Sequence, residues 1–177
     1  MILSMAAGKK LKLYGRKFWN FFWNGDSIWS WLANVLAAFL IIYFIVYPLL
    51  GLLFGTSYPI VAVVSESMEH GLHQQVICGQ PFDQFPESFA SYWAACGPWY
   101  ENRGISKQQF AAFPFRDGFQ KGDVIVLWRP TNLELGDILV FQGNKPQPII
   151  HRIVKVWEED GNKYYQTKGD HNSDSFV

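Results

Sequence analysis

Hydrophobic and polar positions along this chain fall into four textures. Residues 1–27 mix basic residues with aromatic ones and include FWNFFWN (Phe18 to Asn24). Ile28 to Phe54 (IWSWLANVLAAFLIIYFIVYPLLGLLF) is then an apolar run of 27 residues without one Asp, Glu, Lys or Arg. At ~1.5 Å per residue a helix of that length reaches about 40 Å, enough to cross a hydrocarbon core of about 30 Å. A buried core helix is shorter and keeps a polar stripe. The apolar region of a cleavable signal peptide is normally about 7–15 residues. The run therefore predicts an uncleaved membrane anchor over 28–54.

Beyond the anchor, Pro59 punctuates the chain and the β-branched run Ile60 to Val64 predicts a strand. Leu72 to about Arg116 loses strand periodicity and alternates aromatics with Gln, Pro and Gly; short helices fit Pro86 to Ala95 and Ser106 to Ala112, with Ser106 as a cap. The pattern then becomes strongly β. DVIVLW, DILVF, PIIHRIVKVW and KYYQT predict four strands separated by RPTN, QGNKPQP and EEDGN. Gly122-Asp123 and Gly136-Asp137 each introduce a strand and read as two similar turns in one sheet.

Charge adds orientation. The 15 basic and 15 acidic residues cancel, which argues against nucleic acid as a partner. Their placement is uneven, because Lys9, Lys10, Lys12, Arg16 and Lys17 all precede the first acid, Asp26. Basic residues ahead of the span place the N-terminus in the cytoplasm and residues 55–177 outside. The aromatics of the leader, with Trp29 and Trp31, suit the cytoplasmic interface.

Both cysteines, Cys78 and Cys96, fall in the outer segment. An even count in a non-cytosolic segment permits a disulfide, two buried thiols being the other reading. The insert 72–116 also has two readings. Its aromatics (Phe82, Phe85, Phe89, Trp93, Trp99, Tyr100, Phe110, Phe113 and Phe115) build either a flap resting on membrane or substrate, or a small core stapled by the cysteines. His70, His73 and Cys78 lack a recognised metal-ligand spacing, so neither a metal nor another cofactor is expected.

Chemistry in the outer segment calls for a nucleophile and a base. Ser65 and Ser67 are candidate nucleophiles, and His70, His73, His151 and His171 are candidate bases. A serine hydroxyl is a weak nucleophile until a neighbouring base takes its proton, a task for which imidazole is suited near neutral pH. Each motif is weak alone.

Their order is informative. An N-terminal anchor followed by SESM, GDVIVL, GDILVF, IIHRIV and TKGDHN resembles a type I signal peptidase, in the archaeal and endoplasmic-reticulum branch where histidine stands in place of lysine. The resemblance covers Pro59 to Met68 and about Gly118 to Asp174. It implies a mainly β fold: one transmembrane helix, then a β-rich catalytic domain carrying the insert. It implies Ser67 as nucleophile, His151 as general base, Ser65 at the oxyanion and Met68 in the substrate cleft. Asp170 and Asp174 fall in the acidic box, with Asp174 favoured as the residue that orients His151.

The implied activity is removal of signal peptides through an acyl-enzyme, in a single-pass protein of the cell membrane. The implied partners are signal-peptide-bearing preproteins, the lipid bilayer and the protein translocation machinery. The chain departs from the family pattern at Glu69-His70, where proline commonly stands two residues after the methionine. It departs again in the short Asp170-to-Asp174 spacing, and in ending at Val177 ahead of an expected final strand. The rival readings are a catalytically inactive, membrane-tethered β-domain that binds exported chains, and a repressor-type self-processing protease. The latter uses lysine as base and lacks an anchor.

Overall fold

A computed structural model describes residues 16–17, 19–130, 132–143 and 146–175. Lys9, Lys10 and Lys12 of the basic leader and the chain end at Val177 lie outside the described residues. The chain divides into two units, up to residue 59 and from residue 60.

The first unit is the apolar helix. It begins with α1 (Ile28–Ile41), whose cap Ser27 accepts from the Trp29 N–H at 3.2 Å. The Ser30 hydroxyl donates to the Phe21 carbonyl, and Asn34 Nδ2 donates to the Phe22 carbonyl at 2.8 Å. These bonds tie the helical residues 19–24 to α1. A π-helical turn (Ile42–Val46) joins α1 to α2 (Tyr47–Phe54). Pro48 has no N–H to offer the Phe44 carbonyl, and the widened turn lies directly ahead of it. Gly55, at φ 66°, ends the helix in the left-handed conformation. Ile28–Phe54 is the one helix among the described residues long and apolar enough to cross a membrane.

The second unit combines small sheets with helices. β1 (Ile60–Ala62) pairs with β4 (Val124–Val126), and β2 (Val76–Ile77) pairs with β3 (Gln80–Pro81). The third sheet runs in the order β5 (Ile138–Phe141), β6 (Ile149–Glu159), β7 (Asn162–Lys168). All pairings are antiparallel. Helices α3 (Phe89–Glu101) and α4 (Lys107–Ala111) lie in the insert. The mainly β expectation therefore describes the segment from Val124 to Lys168 and not the described residues as a whole, which also carry the long apolar helix, the helical residues 19–24 and the two helices of the insert.

The two Gly-Asp turns are alike in detail. Asp123 Oδ2 accepts from the Gln120 N–H at 2.9 Å, and Asp137 Oδ2 accepts from the Glu134 N–H at 2.8 Å. Gly122 and Gly136 take φ values of 100° and 97°, which a side chain would resist. Each turn also clasps a neighbouring strand. Gly122 N–H and Asp123 C=O bond Val63, and Gly136 N–H and Asp137 C=O bond Ile153. One point is corrected: β4 and β5 belong to different sheets, so the turns open two sheets rather than one.

The insert is built onto the sheet. Ile77, Tyr92, Trp93, Cys96, Tyr100 and Phe110 form a buried cluster that also includes Val154 of β6. Cys78 and Cys96 are joined by a disulfide. Ser88 caps α3, accepting from the Ser91 N–H at 3.1 Å, and Ser106 caps α4, accepting from the Gln109 N–H at 3.2 Å. α3 continues through Gly97-Pro98 to Glu101, six residues past the end expected at Ala95. Gly97 is needed there, because a Cβ would meet the Trp93 ring at 2.7 Å. A second cluster holds Val63, Met68, Phe119 and Ile150.

Candidate active site

The stretch SESM leaves β1 as a turn. The Glu69 N–H donates to the Glu66 carbonyl at 3.0 Å, and Lys121 spans the outside. Its ammonium meets Glu66 at 2.8 Å and its main-chain N–H donates to Glu69 at 3.0 Å. The hydrogen bond from Lys121 lowers the pKa of Glu66, so the pair is ionised at neutral pH. Ser65 and Ser67 share a hydroxyl–hydroxyl contact of 3.2 Å, with Ser65 exposed and Ser67 half-buried.

Two anchors hold this turn. Met68 is buried among Val63, Phe119 and Ile150, and its carbonyl accepts from the Phe119 N–H at 3.0 Å. The Ser67 carbonyl accepts from the His171 N–H at 2.9 Å. Both approaches need glycine. A Cβ on Gly118 would lie 2.1 Å from the Met68 carbonyl oxygen, and one on Gly169 would lie 2.6 Å from that of Ser67.

His151 lies on β6 opposite Leu139, is 5% exposed, and has its ring 6.3 Å from that of Phe141. The preceding residue, Ile150, packs in the Met68 cluster. SESM, IIHRIV and KGDHN, far apart in sequence, are therefore brought together by an apolar cluster, a main-chain bond and the Arg152–Asp170 ion pair.

The two aspartates stand in different settings. Asp170 is fully buried and bonds Arg152 (2.7 Å from Nη2, 2.9 Å from Nε), His70 Nε2 (3.0 Å) and the Tyr100 hydroxyl (3.3 Å). Burial acts to raise its pKa, but the Arg152 charge and the bonds from His70 and Arg152 outweigh it and hold the carboxyl below the usual range. Asp174 is exposed and accepts from Trp99 Nε1 (3.0 Å), Arg103 Nη2 (3.3 Å) and the Ser175 N–H (2.8 Å). Those bonds, the Ser175 N–H foremost, lower its pKa.

Arg152, Lys168 and Tyr92 were not singled out by the sequence, while His70 was named there as a candidate base and Tyr100 among the aromatics of the insert. A signal existed for Arg152, since a guanidinium inside the apolar run of β6 requires a buried partner. Lys168 Nζ donates to the carbonyls of Gly169 and Asp170 at 3.1 Å each, and burial pushes its pKa down to about 8. Burial likewise lowers the pKa of His171, leaving that ring neutral at pH 7. Of the residues once weighed for a metal, Cys78 is in the disulfide and His70 faces Asp170.

Comparison with known proteins points the same way. The chain is 41% identical over 59 residues to the signal peptidase complex catalytic subunit SEC11 of Lachancea thermotolerans, covering 31% of this chain and 35% of that one. It is 41% identical over 56 residues to the sec11 subunit of Penicillium rubens (30% and 32%), and 36% identical over 58 residues to SEC11 of Plasmodium falciparum (32% of each). The chain thus spans about a third of the length of the curated relatives it matches. No family model matches it, and no solved structure does. Over that third, the chain is a relative of signal peptidase complex catalytic subunits.

Proposed function

We propose that this protein is a membrane-anchored serine endopeptidase that removes signal peptides from secretory precursors. Ser67 attacks the scissile carbonyl, His151 takes its proton, and water activated by His151 then hydrolyses the ester. Ser65 is assigned to the developing oxyanion and Met68 to the substrate cleft; the 3.2 Å contact between the Ser65 and Ser67 hydroxyls supports the first role. Asp174 is kept as the acid that orients His151, because the Asp170 carboxylate is already committed to Arg152, His70 and Tyr100.

The observation that carries this reading is the Ser67 carbonyl bond to the His171 N–H, which joins the SESM turn to the KGDHN loop in a relative of signal peptidase subunits. The proposed setting is single-pass, with the N-terminus cytoplasmic and residues 55–177 outside. The proposed partners are signal-peptide-bearing preproteins, the bilayer, the translocation machinery and other subunits of a signal peptidase complex. The exposed apolar residues of the β1–β4 ribbon (Ile60, Val124 and Val126), with Trp128 just beyond it, are a candidate lipid contact.

Incubating the purified full-length protein with a preprotein tests the activity. Cleavage of the preprotein, its loss on Ser67→Ala and its loss on mutation of the cleavage site are expected. A rival reading, an inactive tethered domain that binds exported chains, is favoured by the present partners of Asp174, and binding without cleavage would select it.

A further inference from the structure

His70 stands three residues after Ser67, at the position where the resembled family commonly has proline. Here its ring is nine-tenths enclosed. Its side chain is 11% exposed and lies face to face with Tyr92 of α3, with ring centroids 3.5 Å apart and planes 1° from parallel. Gly118 also lies against the ring, since a Cβ there would come within 2.8 Å of His70 Cδ2. Nε2 is 3.0 Å from Asp170 Oδ2. An ionised carboxylate only accepts hydrogen bonds, so Nε2 carries the proton and donates.

That bond closes a circuit. The nucleophile turn meets the acidic loop first through the Ser67 carbonyl and the His171 N–H, and again through His70 and Asp170. The insert supplies the rest of the frame. The Tyr92 hydroxyl donates to the Asp170 carbonyl at 3.0 Å, the Tyr100 hydroxyl donates to Asp170 Oδ1 at 3.3 Å, and the Cys78 N–H donates to the His171 carbonyl at 2.9 Å. The loop 169–172 is thus held by the turn on one side and by a disulfide-stapled insert on the other.

We propose that His70 is a positioning residue for Ser67, acting through Asp170, and that the insert is the brace that holds this contact. The inference rests on the peptidase reading. His70 touches neither Ser67 nor substrate in this role. It fixes the distance between the turn and the loop, and a nucleophile displaced by about 1 Å can lose about 100-fold in rate.

Two variants separate the ring from its proton. His70→Phe keeps the stack on Tyr92 and removes the donor. His70→Gln removes the stack and keeps an N–H that reaches the carboxylate. In the full-length protein with a preprotein, His70→Phe is expected to lower kcat about tenfold or more with KM within about twofold, while His70→Gln recovers most of the loss. Amide hydrogen exchange in residues 169–172 should quicken in His70→Phe and not in His70→Gln, with the melting temperature of both near that of the parent. His70→Phe turning over at the parent rate overturns the inference and leaves the peptidase reading standing. Loss of activity only in step with unfolding, or equally in both variants, also overturns it. A parent protein that cleaves no preprotein removes both the reading and the positioning role.

Discussion

Arg152 and Asp170 form an ion pair from which solvent is wholly excluded. Every guanidinium N–H is used. Nε and Nη2 meet the carboxylate, and the remaining donors reach the carbonyls of Pro114, Gly136 and Phe115 at 2.8–3.0 Å. The pair joins β6 to the acidic loop and, through those carbonyls, to the end of the insert.

Removing one partner leaves the other charged and buried. Asp170→Asn should therefore destabilise the outer unit by about 3–5 kcal/mol, read from urea unfolding at pH 7. The pH dependence has a fixed sign. The folded-state pKa of Asp170 is depressed, so its contribution is present above the unfolded carboxyl pKa of about 3.9 and is lost as pH falls below it. A parent protein whose stability does not fall more steeply with acid than that of Asp170→Asn contradicts this assignment.

Lys168 gives the same sign of slope in a higher pH window. Its pKa is pushed down to about 8 by burial, although Asp170 and Asp174 pull it up. The unfolded chain then binds more protons than the folded one between about pH 8 and 10.4, so stability should rise with pH across that window. The gain is on the order of 3 kcal/mol for a shift of this size. It ends near pH 10, where the buried Tyr92 and Tyr100, their pKa raised first of all by burial, begin to favour the unfolded state. Lys168→Met should flatten the rise in a urea-midpoint series taken at half-unit steps. An unchanged profile would count against a buried, neutralising lysine.

The Cys78–Cys96 bond closes a loop with a sequence separation of 18. A loop of that size contributes about 3 kcal/mol in the chain-entropy model. Reduction under non-denaturing conditions, or the double serine variant, should lower the unfolding midpoint accordingly. Because the Cys78 N–H bonds the His171 carbonyl, exchange should quicken in the 169–172 loop as well as in the insert. Quantitative alkylation of both thiols in unreduced, denatured protein would show the bond absent.

Much of this architecture could be read from local pattern. The span 28–54 needs only its unbroken apolar run, and β4 to β7 need only short runs rich in β-branched and aromatic residues between turns. Ser106 was legible as a cap because it precedes a short helical pattern. α3 was misjudged at its far end, since Gly97-Pro98 reads as a stop. Burial of Cys96 and Tyr100 and the close approach of Trp93 to Gly97 override that local preference. The β2–β3 hairpin was not legible, because its strands have two residues each and its turn puts Cys78 and Gly79 at positive φ. At the site, the order of SESM, HR and KGD was visible, but the partners of each residue were not. His70 and Asp170 are separated by 100 positions, and nothing local to either names the other.

The last prediction separates chemistry from scaffolding within the acidic box. Ser67→Ala and His151→Ala should each remove most cleavage in single-turnover assays while leaving preprotein binding nearly unchanged, because the missing interactions act in the transition state. Asp174 is exposed, so Asp174→Asn should leave the unfolding midpoint within about 0.5 kcal/mol of the parent while lowering the rate. Asp170→Asn should do the reverse at low temperature. There its surviving folded fraction should cleave faster than Asp174→Asn, with the loss appearing chiefly as instability. If Asp170→Asn is the slower enzyme after correction for folded fraction, the roles of the two acids are exchanged. If His151→Ala cleaves at the parent rate, His151 is not the base that activates Ser67.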